Sequence, residues 1–525
     1  MIWKRSAALL ADHARGLIIS RMFAPRKTCF RLTGAFKPSS VLKGLPKGSG
    51  FKEDSLETFE GVARDTFDGL ARRAGKVPLR TKEGVALIEP ATGVMLEQAC
   101  LSDWKFAADL KGGDVGVQLS EISELRAFLP AGNLAGEIKR ISLLDELEKT
   151  VSRLTVTSLK RGRERITWIS TEALRGYDAE QRRLEKALEA ADCERVTKSS
   201  DLLPAPGVGA KPYASKPTVP LSACDPVIKS ESALIRVFLK TARRNEEGAR
   251  EDWDTEFIHD YRVSLRRVRS LLSLFKGVYA EEAVAELKRV LGDIMKQTNR
   301  LRDLDVYLLG RAEYYELVPE SVHAGLDVMF NAIEKQRGEA FEGVRSLFNS
   351  PDYDKRLRGL QRKFRADDGI PKGPAADEPT GRFALKLIRK KYAKVARIGA
   401  RINKQTPDET VHELRLECKK TRYLLEFFAP LFKTADIKPL IKSLKGLQDA
   451  LGWFNDCSVQ RESLATFVER HPTRGQKGLR LAESVGALVA TLYQRQLAAR
   501  RQVESRIDLF VNDQTRADFE RLKTI

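Results

Sequence analysis

The sequence lacks features on which several common protein classes depend. Its six cysteines stand singly and form no CxxC pair, which argues against both a zinc site and a disulfide framework. No apolar run approaches the length of a membrane span, and the basic N-terminus has no apolar stretch long enough for a secretory signal. These absences lead us to expect a cytoplasmic protein in a reducing compartment.

Aromatic residues are also scarce, at 7% of the chain, and there are only five histidines. Positive charge, in contrast, is abundant: 92 Lys and Arg stand against 72 Asp and Glu, giving a net charge of +20 and an isoelectric point near 9.6. Such an excess indicates a polyanionic partner. Composition leaves open nucleic acid, an acidic membrane surface and polyphosphate, although few aromatics are present for stacking many bases.

The pattern of apolar residues divides the chain of 525 residues into four parts. Residues 1–27 form a basic extension. From 28 to 200, short β-branched runs alternate with turn residues, which predicts a β-rich domain, with one charged amphipathic helix from Tyr177 to Cys193. Residues 201–225 are rich in Pro, Gly and Ser, as in a linker. From 226 to 525 the apolar period is 3.6, which predicts a helical domain and, for the chain, an α+β multidomain fold.

The helical region contains one pattern twice. In each copy a histidine is followed by basic residues at +3, +7, +8 and +10 and by a phenylalanine at +16. The two sets are His259, Arg262, Arg266, Arg267, Arg269 and Phe275, and His412, Arg415, Lys419, Lys420, Arg422 and Phe428. Every matched pair lies 153 positions apart. We therefore predict two copies of one helical unit, at about 226–366 and 381–525.

A helical wheel places most of these cations on the side of the histidine. The basic residues at +3, +7 and +10 share that face, and apolar residues such as Leu265 and Leu414 lie opposite. Close like charges repel by about 0.2–0.5 kcal/mol per pair, and no acid lies on this face between the cations to relieve this, although Glu426 follows Arg422 by one turn. Because Arg and Lys suit phosphate oxygens, the pattern predicts two facing helices that hold a polyanion between them.

Other charged residues at helical spacing extend the predicted site. The possible additional phosphate contacts are Arg236, Lys240, Lys288, Arg289, Arg389, Lys390, Lys442 and Lys445. Asp303 and Asp456 occupy equivalent places in the two copies, and we expect them to orient arginines from behind. A role as solvated surface charges stays an equal alternative for Lys288, Arg289, Lys442 and Lys445. For the two aspartates the equal alternative is that they are plain salt-bridge partners.

The repeated pattern resembles the CHAD family, the conserved histidine α-helical domain, from about Asp225 to the C-terminus. The run from Leu444 to Asp456, which includes Gly452, adds to the resemblance. It implies an all-helical domain of two four-helix halves around a basic pore. It also implies binding of inorganic polyphosphate and association with polyphosphate granules, through the ten residues of the two sets from His259 to Arg269 and from His412 to Arg422.

The N-terminal part resembles, more weakly, a CYTH domain, an antiparallel β-barrel tunnel. The resemblance rests on the segment from Ala63 to Arg80, with Asp65 and Asp68, and on Ser215 and Lys216 near its end. It also includes a helix from Leu143 to Val151. An active tunnel of this family opens with alternating acids that bind a divalent metal, whereas the strand here, from Cys29 to Lys37, has none. We therefore expect a degenerate tunnel with no catalytic residues, metal or cofactor.

Two other functions compete with polyphosphate binding. A metal-dependent triphosphatase or polyphosphatase would need the acids that the opening strand lacks. Nucleic-acid binding is compatible with the charge, but each signature stretch contains a single aromatic, Tyr261 or Tyr423, and neither contains Asn or Gln for base edges. We expect no specific nucleic acid and no membrane partner, and the oligomeric state is left open.

Overall fold

The protein consists of two compact units, Met1–Ala214 and Ser215–Ile525. The computed structural model describes residues 27–100, 103–196, 213–365, 369–470 and 475–525. Residues 1–26 of the predicted N-terminal extension and residues 201–212 of the predicted linker lie outside these residues. The first unit is an antiparallel β-sheet with few helices and the second is helical, so the predicted α+β multidomain class is confirmed. No helix in the described ranges is long and apolar enough to cross a membrane.

The first unit is built on one nine-stranded sheet in the order β5-β4-β3-β2-β6-β7-β8-β1-β9. Its strands are β1 Lys27–Thr33, β2 Gly50–Thr66, β3 Val77–Arg80, β4 Gly84–Glu89, β5 Val94–Ala99, β6 Phe128–Leu144, β7 Thr150–Arg161, β8 Glu164–Ala173 and β9 Glu194–Arg195. Its helices are α1 Pro38–Leu42, α2 Leu70–Arg73, α3 Asp114–Ile122 and α4 Asp178–Ala190. Neighbouring strands are antiparallel throughout.

The sheet curls, and apolar side chains fill its inside. Ile88 of β4, Ile138 of β6 and Trp168 of β8 belong to one buried cluster, although their strands are not neighbours in the sheet. Gly93, in the β4–β5 turn at φ +67°, lies so close to β7 that an added Cβ would be 2.1 Å from Thr155 Cγ2. Trp168 is fully buried in this cluster.

The predicted helix from Leu143 to Val151 is wrong. β6 continues to Leu144, and β7 begins at Thr150 after a tight turn. Asp145 forms that turn by accepting hydrogen bonds from the backbone N–H groups of Leu147 and Lys149, both at 2.9 Å. The helix was implied by the resemblance to a CYTH domain, but the segment belongs to two strands joined by an Asx turn.

Asp65, in the segment that resembles a CYTH motif, has a structural role in this fold. Its carboxylate accepts hydrogen bonds from the N–H groups of Thr66, Ala71 and Arg72, at 2.8–3.3 Å, at the start of α2. Burial raises the pKa of Asp65 to about 6, although these hydrogen bonds oppose the shift. The acid therefore stabilises the turn that follows β2.

The second unit consists of twelve helices in the described residues. The first copy contains α5 Val227–Arg250, α6 Thr255–Leu274, α7 Glu281–Gln297, α8 Asn299–Leu309, α9 Arg311–Glu316, α10 His323–Asn349 and α11 Pro351–Lys363. The second contains α12 Thr380–Gly399, α13 Asp408–Phe428, α14 Thr434–Arg470, α15 Gly475–Phe510 and α16 Asp513–Arg521. The starts of α5, α6 and α7 precede those of α12, α13 and α14 by the predicted 153 positions.

The two copies meet about a local pseudo-two-fold axis. Val227 N–H donates to Glu378 O, and the equivalent Thr380 N–H donates to Asp225 O, both at 2.9 Å. Farther along, Phe275 stacks on Phe428 with ring centroids 5.0 Å apart and an interplanar angle of 13°. Contacts between equivalent residues are the mark of an isologous interface. The phenylalanine at +16 in each signature is therefore the contact that joins the copies.

Glu231 of α5 is an unusual feature of this interface region. It is 0% exposed, and neither carboxylate oxygen has a hydrogen-bond partner. The equivalent residue of the second copy is Ala384. Burial raises the pKa of Glu231 well above its usual value, because an ionised carboxylate is poorly solvated in an apolar environment.

We predict that Glu231→Gln stabilises the protein increasingly as pH rises above 5. The unfolded chain releases the Glu231 proton above pH 4.5, whereas the folded chain retains it. Stability of the wild type therefore falls with pH by about 1.4 kcal/mol per unit until the folded pKa is reached. Urea unfolding at pH 5, 6, 7 and 8 measures the difference, with the exposed Glu282→Gln as the control. A constant difference across pH would contradict it.

Candidate anion-binding site

The signature helices α6 and α13 bury the apolar sides predicted for them. Leu265 and Val268 of α6 and Leu414 and Leu424 of α13 are all fully buried. Asp254 begins α6 by accepting hydrogen bonds from Glu256 N–H at 2.9 Å and from Phe257 N–H, as an N-cap does. Because the apolar side is fixed in the core, the cations at +3, +7 and +10 are held on the other side.

Lys419 lies where the cations of the two copies meet. Burial lowers the pKa of Lys419 to about 8, and the neighbouring charges of Arg266, Arg415 and Arg422 add to the shift. Arg266 and Lys419 occupy equivalent positions in the repeat. Since equivalent residues are close only near the symmetry axis, the centre of the site lies on it.

Arg262 continues the site into the first copy. Its Nη1 donates to Thr298 Oγ1 at 2.7 Å and to Met295 O at 3.1 Å, at the break between α7 and α8. Burial lowers the pKa of Arg262, whereas the carboxylate of Asp303 raises it. The charges of Arg266 and Arg302 lower the pKa further. Lys419 has Arg266, Arg415 and Arg422 as charged neighbours, and Arg266 is also a charged neighbour of Arg262. We call these five residues the basic row.

Several guanidinium nitrogens in and around the basic row have no acceptor. The Nε atoms of Arg266 and Arg269 and the Nη1 atom of Arg302 are enclosed without a hydrogen-bond partner, whereas Arg422 Nε lies 3.5 Å from Glu426 Oε1. An enclosed donor that makes no hydrogen bond costs about 1–3 kcal/mol. Small shifts of these side chains towards an anion's oxygens would recover that cost, so the arrangement favours an anionic ligand.

The two aspartates lie beside the first arginine of each copy. Arg415 Nη2 is 3.7 Å from Asp456 Oδ1, and Asp303 is an electrostatic neighbour of Arg262. Their predicted role of orienting arginines stays a prediction. These positions show that each end of the basic row keeps one carboxylate close to it.

The two histidines have different surroundings. His412 is exposed, and its Nδ1 lies 2.8 Å from Asn455 Oδ1. His259 is half-buried, and its ring nitrogen lies within 4.8 Å of carboxylate oxygens of both Glu256 and Asp260. Within the described ranges this is the one group of three such side chains that could hold a metal ion. The predicted role of both histidines in anion binding stays a prediction.

Arg267 and Lys420, at +8 in the two copies, do not join the basic row. Arg267 is buried, lies over the ring of Phe238 at 5.3 Å, and forms an ion pair with Glu426 of α13 at 3.0 Å. Lys420 forms an ion pair with Glu417 at 2.7 Å. The buried ion pair gives Arg267 a structural role in place of the predicted contact with the polyanion. On the wheel +8 lies about 80° from the histidine, on the flank opposite +10, and there both side chains meet acids. Contact of the partly exposed Lys420 with the polyanion stays a prediction.

The additional cations divide into three groups. Arg236 and Arg389 are equivalent, and each donates to backbone carbonyls at the end of the last helix of its copy, Phe364 O and Glu520 O. Arg289 pairs with Glu286 and Asp293 of its own helix. The remaining predicted contacts are half-buried or exposed: Lys288, Lys240, Lys390, Lys442 and Lys445. The first two groups have protein partners, so a solvated or structural role fits them better.

Arg302 is a neighbour of the basic row that the repeat did not reveal. A comparison of the copies finds matched residues, and the position equivalent to Arg302 is Asn455. The sequence feature that could have indicated Arg302 is its position next to Asp303. The structure brings it beside Arg262.

Residues 233–465 match the family model of the CHAD domain. This segment of the chain is a CHAD domain. Among solved structures, the CHAD domain from the plant Ricinus communis is similar at 22% identity, over 60% of this chain and 100% of that chain, with a TM-score of 0.48. PptA from Streptomyces chartreusis is similar at 18% identity, over 54% of this chain and 99% of that chain, with a TM-score of 0.39. No curated protein matches the chain.

We predict that Arg267→Ala destabilises the CHAD domain far more than Lys420→Ala. The Arg267 side chain is 7% exposed, and its removal leaves Glu426 with only Arg422, at 3.5 Å; we expect a loss of about 2–3 kcal/mol. Lys420 is 43% exposed, and Glu417 keeps Lys391 and Lys394, so its loss should cost below about 1 kcal/mol. Urea unfolding of both variants tests this, and equal losses would refute it.

Proposed function

We propose that the CHAD domain binds inorganic polyphosphate along the basic row. The observation that carries this proposal is a group of cations from both copies of the repeat, in which Arg266 of the first copy is a charged neighbour of Lys419 of the second. Polyphosphate is a linear series of negative charges, so one chain could satisfy the cations of both helices. Enclosed guanidinium nitrogens without acceptors further favour a ligand rich in anionic oxygens.

The aromatic residues of the signature helices favour polyphosphate over nucleic acid. Tyr261 is 0% exposed and Tyr423 is 6% exposed. Neither ring can stack on a base, although stacking supplies much of the affinity of single-strand binding proteins. The described cations of the basic row suit phosphates, and no base-reading side chain accompanies them within the two signature stretches.

We further propose that the protein is not an enzyme and that it associates with polyphosphate granules in the cytoplasm. Two observations support a non-catalytic N-terminal unit. β1 carries no acid, and its Arg31 pairs with Glu194 of β9 at 2.7 Å. Trp168 and Phe59 belong to a buried apolar cluster against the sheet, and apolar surroundings suit a triphosphate poorly.

A direct titration with polyphosphates of graded length tests the proposal. We expect the full chain to bind them, with log K falling linearly with log salt by about 0.7 for each phosphate contact. Long-chain polyphosphate should displace DNA at a far lower phosphate concentration than the reverse. No phosphate should be released from triphosphate with Mg²⁺ or Mn²⁺. A flat salt response or preferred binding of DNA would overturn the assignment.

We predict that the two halves of the site contribute about equally. Arg262, Arg266 and Arg269 replaced by Ala should weaken binding about as much as Arg415, Lys419 and Arg422 replaced by Ala. Each charge-assisted contact contributes about 1.5–3 kcal/mol when well formed. Isothermal titration with one polyphosphate length measures both losses, and circular dichroism confirms that the helices persist.

The control for these triple variants removes three exposed cations from α11, Lys355, Arg356 and Arg362. α11 packs on the buried side of α6, where Tyr353 and Tyr261 hydroxyls lie 3.0 Å apart. This control should keep nearly wild-type affinity despite the same loss of charge. Full affinity in either signature variant would reduce the site to one copy.

We predict that affinity decreases as pH rises above about 8. In the free protein the Lys419 amine loses its proton near that pH because of burial and the neighbouring arginines. A bound polyanion favours the protonated amine and raises its pKa, so binding at higher pH requires proton uptake. Dissociation constants at pH 7 to 9.5 should rise by up to about tenfold per unit. Lys419→Arg should abolish this pH dependence. If the affinity of that variant falls with pH as steeply as that of the wild type, titration of Lys419 is not the cause.

A further inference from the structure

The two copies of the repeat differ in charge at one end of the basic row. Asp303 and Asp456 match, as do Arg262 and Arg415, but the first copy has Arg300 and Arg302 where the second has Trp453 and Asn455. These four residues lie on α8 and on the corresponding part of α14, next to the two aspartates. The end of the row formed by Arg262 therefore has more positive charge than the end formed by Arg415.

Of the two extra arginines, Arg302 is the one that lies near the basic row. It is an electrostatic neighbour of Arg262, and its Nη1 is enclosed without an acceptor. The carboxylate of Asp305, one turn away, is held instead by Arg337 Nε at 2.9 Å. Arg300 donates to Gln336 of α10. Arg302 thus lies near Arg262, with Asp303 and Asp305 as its acidic neighbours, and its Nη1 has hydrogen-bonding capacity left for a ligand.

The equivalent place in the second copy offers no such group. Asn455 Oδ1 is 2.8 Å from His412 Nδ1, so the amide is engaged with the exposed histidine. The single strong cation at this end, Arg415, is shared with Asp456 at 3.7 Å. The two ends of the basic row have the same fold. The end formed by Arg262 can balance more negative charge on a ligand than the end formed by Arg415.

A linear polyphosphate has the matching asymmetry along its length. An internal phosphate has one ionisable oxygen and one negative charge. A terminal phosphate has a second ionisable oxygen, with a pKa near 6 in comparable phosphate groups, and carries close to two charges at neutral pH. It also offers one more oxygen to a guanidinium fork.

We propose that Arg302, together with Arg262, binds the terminal phosphate of a linear polyphosphate, so that a chain enters the site in one direction. This inference rests on the proposed function and specifies which part of the ligand the first copy recognises. Internal phosphates then lie along Arg266, Lys419 and Arg415. Arg302 acts as a specificity-determining residue for chain ends, and the repeat supplies the rest of the contacts.

The test compares two polyphosphates of the same short length, one with free ends and one in which each terminal phosphate carries an uncharged alkylamine in a phosphoramidate bond. A blocked end has the charge of an internal phosphate. We expect the full-length wild type to bind the free-ended chain about tenfold more tightly. Arg302→Asn, which installs the residue of the second copy, should bring the two dissociation constants within about twofold, with little change for the blocked chain.

Lys355→Asn is the matched control, because it removes the same charge from α11 on the buried side of α6. It should keep the tenfold preference. Equal binding of the two chains by the wild type, or a preference that survives Arg302→Asn, would overturn the inference while leaving polyphosphate binding intact. Failure of the wild type to bind either chain would overturn both the inference and the proposed function.

Discussion

The helical unit depends on packing that holds two like-charged helices against each other. Phe275 stacks on Phe428, and the reciprocal hydrogen bonds at Val227 and Thr380 join the starts of the two copies. Aromatic pairs of this kind contribute about 0.5–1.5 kcal/mol beyond the apolar area they bury. The repulsion that they oppose is visible in the pKa of Lys419, which burial and three arginines lower to about 8. Apolar contacts behind the basic row thus offset the electrostatic cost in front of it.

Some signature residues supply positive charge to the basic row, and others hold the two helices together. Positions +3 and +7 supply charge to the basic row, whereas +16 supplies the stacked ring and +8 supplies an ion pair that secures the helix. Arg267 crosses from α6 to Glu426 of α13 and so links the copies directly. Glu426 also lies 3.5 Å from Arg422. One acid therefore connects the structural cation of the first copy with the binding cation of the second.

The sequence predicted most of the fold and the central part of the site, since both follow from periodicity. A repeat of 153 positions located the equivalent helices, and the helical wheel separated Leu265 and Leu414 from the basic face. Roles that depend on a distant partner were not accessible. Nothing near Arg267 in sequence indicates Glu426, and nothing in the run around Leu143 indicates that Asp145 turns the chain into β7. The four-part division of the chain and the ligand remain predictions.

Divergence between the copies is concentrated where symmetry is not needed for packing. Glu417, surrounded by Lys391, Lys394 and Lys420, corresponds to Ser264 in the first copy, where Phe238 and Arg267 fill the same region. The signature helix of the second copy is held by the ion pairs of Glu417. That of the first copy is held by Arg267, which lies over the ring of Phe238. The residues that must meet at the axis have changed less: phenylalanine faces phenylalanine, and arginine faces lysine. A duplicated chain could therefore alter one end of its basic row, as at Arg302, without disturbing the interface that brings the two halves of the site together.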